Sequence, residues 1–195
     1  MRYIPLSTQL ARLSRLGVLS CALILCTSLA QAQMAGHGHM HGADGTGHDE
    51  VTMPGLRGAN ATPEESQELA VLFRNFPTLE RSVENLPNGI RTVTRSTEPE
   101  VMEVLVSHVV GMLDRVERKD DPQILIQSPT LNVFFERAEH IATEFNVTDA
   151  GIEVIQTSDD PVVVEALQLH AEEVSAMAAQ GMHAVHMMMM QRARN

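Results

Sequence analysis

The chain has 195 residues and carries 14 basic against 25 acidic side chains, a formal net charge of −11. Because binding to nucleic acid phosphates needs a basic face, this balance excludes nucleic acid as an expected partner. There is no tryptophan and only one tyrosine, so a stacking platform for sugars or bases is not expected either. The length suits one domain with terminal extensions.

Residues 1–32 are typical of a secretory signal peptide. Three arginines precede an apolar run that ends in Ala30-Gln31-Ala32, a small-residue cleavage site. The run is shorter than the roughly 20 residues of a membrane helix, and no later run is long enough. We therefore expect a periplasmic or secreted protein without a membrane span in the mature chain.

Both cysteines, Cys21 and Cys26, lie in the predicted signal peptide. The mature chain would then have no thiol, which excludes cysteine metal sites, thiol catalysis and covalent c-type haem attachment. Removal of residues 1–32 takes away three arginines and no acidic residue, so the mature chain is more acidic still.

Residues 33–61 form a segment rich in His, Met and Gly, with few large apolar side chains. Such a segment buries too little surface to offset its ordering entropy, so we expect a disordered tail. Imidazole and thioether groups suit copper, and the tail is a candidate metal site through His37, His39, His41 and His48. The alternative is a solvated leader with no ligand.

Order is predicted to begin at Thr62, where a capping residue precedes Pro63 and two acids. The helix should end before Pro77. Two strands, 79–86 and 90–95, flank Asn88-Gly89, a strong hairpin signal. A second helix is predicted over 99–118.

The same order of elements is predicted to follow the turn at 120–122. A third helix begins at Ser128-Pro129 and carries apolar positions as far as Ile141. A hairpin is expected around Gly151, and a fourth helix from Pro161 runs through Gly181 to Met190.

An ungapped offset of 62 residues aligns 71–108 with 133–170 and gives ten identities. They include a turn glycine, a helix-starting proline and a histidine in each copy. We predict residues 62–190 to be one duplicated domain with halves 62–120 and 121–190. The expected fold is α+β: two helix–hairpin–helix units share a four-stranded antiparallel sheet covered by helices.

Several short motifs resemble those of a family of secreted bacterial proteins with such a duplicated unit. They are Leu86-Pro87-Asn88-Gly89, Thr157-Ser158-Asp159-Asp160-Pro161, His170-Ala171 with Val174, and Gly181-Met182-His183-Ala184 with His186. The first half departs from the pattern with Ser96-Thr97-Glu98-Pro99. The resemblance covers about residues 65–187 and implies the fold but no reaction.

His108 and His170 are equivalent under the offset, and both lie on apolar helix faces. Duplicated units usually pack about a pseudo-two-fold axis, where equivalent residues face each other. The pair could therefore be structural, could ligate one metal ion, or could provide two axial haem ligands. Met112, Met177 and His140 are candidates for the same site.

The C-terminal helix combines histidine and methionine at helical spacing. Residues four apart share a face, which aligns Met182, His186 and Met190, with His183 and Met187 beside them. Mixed His/Met ligands favour copper. The alternative is a methionine-rich helix end that packs on the core or on a protein partner.

No phosphate loop, nucleophile elbow or His-Glu-x-x-His motif is present, so an enzyme is not expected. The first hypothesis is a periplasmic copper-handling protein that buffers, stores or delivers the ion. The second is a haem-binding or haem-sensing domain that uses His108 and His170. The third is a non-catalytic protein-interaction module, with a periplasmic protein as the candidate partner.

Overall fold

The computed structural model describes residues 53–194. The first part of the chain forms helix α1 (Pro63–Arg74), strand β1 (Leu79–Leu86), strand β2 (Gly89–Ser96) and helix α2 (Pro99–Glu117). The second part forms helix α3 (Thr130–Glu136), strand β3 (Ala142–Thr148), strand β4 (Gly151–Thr157), helix α4 (Pro161–Gln180) and helix α5 (Met182–Arg192). Short 3₁₀ helices cover Pro54–Leu56, Phe76–Thr78 and Ala138–His140. The predicted α+β class is confirmed.

The four strands form one antiparallel sheet in the order β1-β2-β4-β3, as predicted. The two hairpins join through β2 and β4, which places Thr92 opposite Val154. These are the two positions that the 62-residue offset superposes. A pseudo-two-fold axis through this pair is what a duplication predicts, although common origin of the halves stays a prediction.

The two faces of the sheet differ because side chains alternate along each strand. On β2 and β4 the buried face carries Ile90, Thr92, Thr94, Ile152, Val154 and Gln156. On the opposite face, Arg91 bonds Glu153 across the strands, and Arg95 pairs with Glu80. The helices therefore cover one face and solvent covers the other.

The core consists of two clusters that cross between the halves. In one, Val101 and Leu105 of α2 pack against Ile152 of β4. In the other, Val163 and Leu167 of α4 pack with Ile90 of β2. Each cluster joins the helix of one half to the strand of the other, and the residues correspond under the offset. Each half therefore supplies part of the core of the other.

Strand β3 is exposed along its whole length. Phe145 and Val147 lie opposite the buried Val154 and Ile152, so they belong to the helix-covered face of the sheet. Each is nevertheless 51% exposed. The helices leave an apolar strip uncovered at this edge.

Two predicted helix limits are wrong. Helix α3 ends at Glu136, because residues 138–140 form a 3₁₀ helix that leads into β3. The apolar positions Ala138 and Ile141 are three residues apart, a spacing that 3₁₀ and α-helices share, so the pattern did not separate them. The last helix is divided at Gly181, whose φ of 58° favours glycine and whose Cβ would overlap the Phe76 ring.

The packed region begins before Thr62, where the sequence analysis placed the end of a disordered tail. Met53 and Leu56 are buried with Ala70 of α1, and Leu56 is only 1% exposed. Ala59 and Asn60 also bond the backbone of residues 122–123. A single buried leucine beside a proline gave no periodic pattern from which this contact could be predicted. Within residues 53–194, no helix is long and apolar enough to cross a membrane.

Arg115 of α2 is a buried cation with a complete set of partners. Its guanidinium donates to both carboxylate oxygens of Glu65, to the Asp120 carboxylate and to the Asn60 carbonyl. Glu65 also closes the capping box of α1 with Thr62. The Arg115 hydrogen bond holds the pKa of the Glu65 carboxyl below its usual value. This network ties α1, α2 and the following loop together.

We expect Arg115→Met to lower the free energy of unfolding by about 3–5 kcal/mol, because it removes a buried cation and leaves the partly buried Glu65 carboxylate unpaired. Urea denaturation measures this value. The matched control is Arg118→Met, whose pair with Asp114 is 58% exposed on both sides and should contribute less than about 1 kcal/mol. Equal, small effects of the two substitutions would contradict the role assigned to Arg115.

Candidate binding cavity

A cavity of about 320 Å³ lies between the sheet and the helices. Its wall includes residues of both core clusters and the central strand pair Thr92 and Val154. The wall is mostly apolar, and the volume falls at the lower end of the range of roughly 300–1,000 Å³ for small-molecule sites. Protein interiors normally leave few voids larger than a water molecule, so this space is a candidate binding site.

His108 and His170 both line this cavity. The prediction that the equivalent histidines approach one region is therefore supported by their positions. His108 lies on α2 and His170 on α4, and their side chains are 18% and 24% exposed. The cavity joins the two helices, whose main packing partners are α1 and α3 respectively.

His108 is held beside a carboxylate without a hydrogen bond. Its Nδ1 lies 3.9 Å from Glu68 Oε2 of α1, and this buried nitrogen has no partner in the described chain. The Ser107 hydroxyl donates to the other oxygen of Glu68 at 2.5 Å. Burial lowers the pKa of His108 to about 4, against a weaker opposing effect of Glu65. At neutral pH the imidazole is uncharged and its lone pair is available to a ligand.

His170 has a similar environment built from different residues. Its Nδ1 lies 3.6 Å from Glu173 Oε2, and both atoms are buried without a hydrogen bond in the described residues. The other oxygen of Glu173 accepts from the hydroxyls of Ser128 at 2.6 Å and Thr130 at 3.3 Å. Phe134 packs its ring edgewise on His170, with centroids 5.2 Å apart.

Glu173 is also held by the C-terminal helix. Arg192 of α5 lies 3.5 Å from its Oε1 and also donates to the Gln127 carbonyl. Burial raises the pKa of Glu173, but His170, Ser128 and Arg192 together bring it below its usual value. The carboxylate behind His170 is therefore charged at neutral pH, and α5 helps to position it.

Both histidines thus have a carboxylate beside Nδ1, which leaves Nε2 as the nitrogen available to a ligand. A carboxylate behind the remote ring nitrogen is the usual support of a metal-bound histidine, because it fixes the tautomer and raises the basicity of the ligand. The two carboxylates do not occupy equivalent positions under the 62-residue offset. Glu68 comes from α1, whereas Glu173 comes from α4, the same helix as His170.

Met112 and Met177, the predicted companions, also line the cavity. His140 does not: it ends an exposed 3₁₀ helix at the surface. Its place on the predicted third helix was wrong because that helix ends before it. In residues 53–194, no group of three or more His, Cys, Asp or Glu side chains could hold a metal ion.

The candidate ligands of the C-terminal helix do not all share the helix face on which they were predicted to lie. Met182 joins the apolar cluster around Leu56, so it does not share a surface with Met190. Met187 and Met190 are 47% and 48% exposed, and His183 is exposed as well. His183, Met187 and Met190 follow the i, i+4, i+7 spacing of one helix face. The buried side of α5 carries Ala184 and Val185.

The predicted tail ligands His37, His39, His41 and His48 lie outside the described residues, as does the predicted signal peptide. The sequence analysis missed Arg81 of β1, an arginine in the cavity wall. A signal was present: Leu79, Arg81 and Val83 alternate along a predicted strand, which places Arg81 on the same face as its apolar neighbours.

No protein-family model, no curated protein and no solved structure matches this chain. The resemblance to secreted bacterial proteins therefore stays a prediction.

The pKa of His108 predicts how stability depends on pH. Between its ordinary value of 6.5 and about 4, the unfolded chain binds a proton at this residue that the folded chain does not. Stability from neutral His108 is complete above this window and is lost as the pH falls, by about 1.4 kcal/mol per pH unit. In His108→Gln this loss is absent.

Urea denaturation of both proteins between pH 7 and 4 tests this linkage. The difference in unfolding free energy, wild type minus His108→Gln, should fall by up to about 3 kcal/mol over the window. A difference that does not change with pH would show that His108 is not buried as a neutral imidazole.

Proposed function

We propose that this is a non-catalytic haem-binding protein of the periplasm or another secreted compartment. The observation that carries the proposal is that two equivalent histidines line one apolar cavity, each with a carboxylate beside Nδ1. His108 and His170 would serve as the axial ligands of the iron, and Glu68 and Glu173 would hold the two rings.

The chemistry of the cavity wall favours a macrocycle over a bare ion. An ion between two histidines would leave the apolar wall without a contact partner. A planar apolar cofactor would contact that wall and would also bring its own metal. Apolar burial then contributes to affinity together with the two iron–nitrogen bonds.

If His108 and His170 both held the iron of a haem, no position on it would remain for oxygen or a substrate. That would favour storage, delivery, sensing or electron transfer over catalysis. The absence of enzyme motifs in the sequence supports the same choice. Secretion is proposed from residues 1–32, as in the sequence analysis.

Titration with haem, followed by the Soret band, tests the proposal. We expect one haem per chain and a loss of affinity of more than about tenfold in His108→Ala and in His170→Ala. Glu68→Gln and Glu173→Gln should weaken binding by about 10- to 100-fold, as carboxylates behind metal ligands do.

His140→Ala is the matched control, because this histidine is exposed and away from the cavity. It should bind haem like the wild type. Equal haem binding by the wild type and the His108→Ala, His170→Ala double variant would refute the assignment of the cavity, whereas no binding by any protein would refute the function.

Copper handling remains a second candidate because α5 presents His183, Met187 and Met190 on one exposed face. Thioether and imidazole ligands suit Cu(I). Copper would then be captured here and at the predicted tail histidines, independently of the cavity. A competition assay with a Cu(I) chelator should show weaker binding in His183→Ala with Met187→Leu, and no change in His108→Ala.

The interaction-module hypothesis is supported by the exposed apolar side chains Met187 and Met190 on α5 and Phe145 and Val147 on β3. Such patches are common at protein interfaces. It is compatible with a cofactor in the cavity, because neither patch lines it.

A further inference from the structure

Arg81 stands in the cavity wall on the buried face of the sheet. It pairs with Thr94 across β1 and β2, and Thr94 is 6% exposed. One terminal nitrogen, Nη1, donates to Thr94 Oγ1 at 2.5 Å. Nε is buried and has no hydrogen-bond partner in the described chain. A guanidinium has five N–H donors in a planar fork, so most of the donor capacity of Arg81 is unused.

No acidic side chain compensates this charge. Within residues 53–194, the cavity wall contains no aspartate or glutamate, although the protein is rich in both. Glu80 is adjacent in sequence but points to the opposite face of the sheet, where it pairs with Arg95. Arg115 differs from Arg81 in this respect, because it is a buried arginine that is paired with Glu65 and Asp120.

A buried cation without a counter-charge destabilises the fold. Burial lowers the pKa of the Arg81 guanidinium to about 10, so it is still charged at neutral pH. The protein thus keeps a positive charge in an apolar cavity and no negative one. That arrangement suits an apolar ligand with an acidic group.

We propose that the ligand of this cavity carries a carboxylate that binds the free Nε edge of Arg81. Arginine binds carboxylates through two parallel N–H donors, and Nε of Arg81 has no partner in the described chain, whereas Nη1 is bonded to Thr94. For a haem, the group would be a propionate; for another ligand, the acid of an apolar chain. The identity of the ligand as a macrocycle rests on the haem proposal above. The pairing of its carboxylate with Arg81 does not depend on the iron.

Arg81 also makes the two ends of the cavity chemically different. Under the 62-residue offset its counterpart is Thr143 on the exposed strand β3, which does not line the cavity. The two histidines and the central strand pair are equivalent positions, whereas the arginine occurs on one side alone. A ligand with its acid at one end would therefore bind in one orientation, with that end toward β1.

The test compares two porphyrin probes that differ in the acid alone: iron protoporphyrin IX and its dimethyl ester. Laurate and dodecanol form a second pair without a metal. Each probe is titrated into wild type, Arg81→Gln and Arg81→Lys, with Arg95→Gln as a control from the exposed face. Thermal melting of the ligand-free proteins checks folding, and Arg81→Gln should melt no lower than wild type because an unpaired buried charge is removed.

We expect wild type to bind the acid about 10- to 100-fold more tightly than its ester or alcohol, since hydrogen bonds to charged groups are strong. Arg81→Gln should lose this preference, Arg81→Lys should keep part of it, and Arg95→Gln should keep all of it. Equal affinity of wild type for acid and ester would overturn the Arg81 inference and leave haem binding intact.

The opposite result separates the two proposals. Arg81-dependent binding of laurate without any haem binding would refute the haem function and support the carboxylate pairing. If neither acid binds wild type better than its neutral analogue, or if Arg81→Gln keeps the preference, the pairing is refuted.

Discussion

The antiparallel pairing of β2 with β4 is the constraint on which the rest of the structure depends. It brings Ile152 beneath α2 and Ile90 beneath α4, so each half supplies the strand that completes the other core cluster. A hairpin alone is only marginally stable in water, and here each hairpin gains buried contacts from the helix of the other half. The cavity lies between the sheet and the helices, and its wall includes residues of both core clusters. His108 and His170 reach it from equivalent helical positions.

Arg115 and Arg81 lie in contrasting environments. Arg115 is surrounded by acceptors that lie outside the cavity and hold α1 and α2 together. Arg81 faces the cavity with one hydrogen bond and no carboxylate. A fold selected for stability alone would pair or replace Arg81, since unpaired buried charge is costly. The contrast is the physical reason for proposing that the cavity has a ligand.

The sequence predicted the fold where local signals were strong. The Asn88-Gly89 turn, the Pro99 and Pro161 helix starts and the offset of 62 residues gave the strands, α2, α4 and the shared sheet. The prediction failed where a local pattern fits two structures, as at residues 138–141. It also failed where tertiary packing decides where a helix ends. Gly181 ends α4 because Phe76 occupies the space that a side chain would need, and Phe76 is distant in sequence.

Only part of the candidate site could be predicted, because local signals do not show which residues tertiary packing brings together. Duplication pointed to His108 and His170, because identical residues at equivalent positions meet near an axis. Glu68 and Glu173 could not be derived in this way, since they are not equivalent and reach the histidines from different elements. Arg81 has no counterpart in the second half, so the repeat that found the histidines could not find it.

The most direct measurement is a crystal structure of the protein with bound iron protoporphyrin IX. The account predicts the macrocycle inside the cavity, the iron bound by Nε2 of His108 and Nε2 of His170, and a new hydrogen bond from Nδ1 of His108 to Glu68 and from Nδ1 of His170 to Glu173. A haem bound on the surface of α5, with the cavity closed around its own side chains, would contradict it.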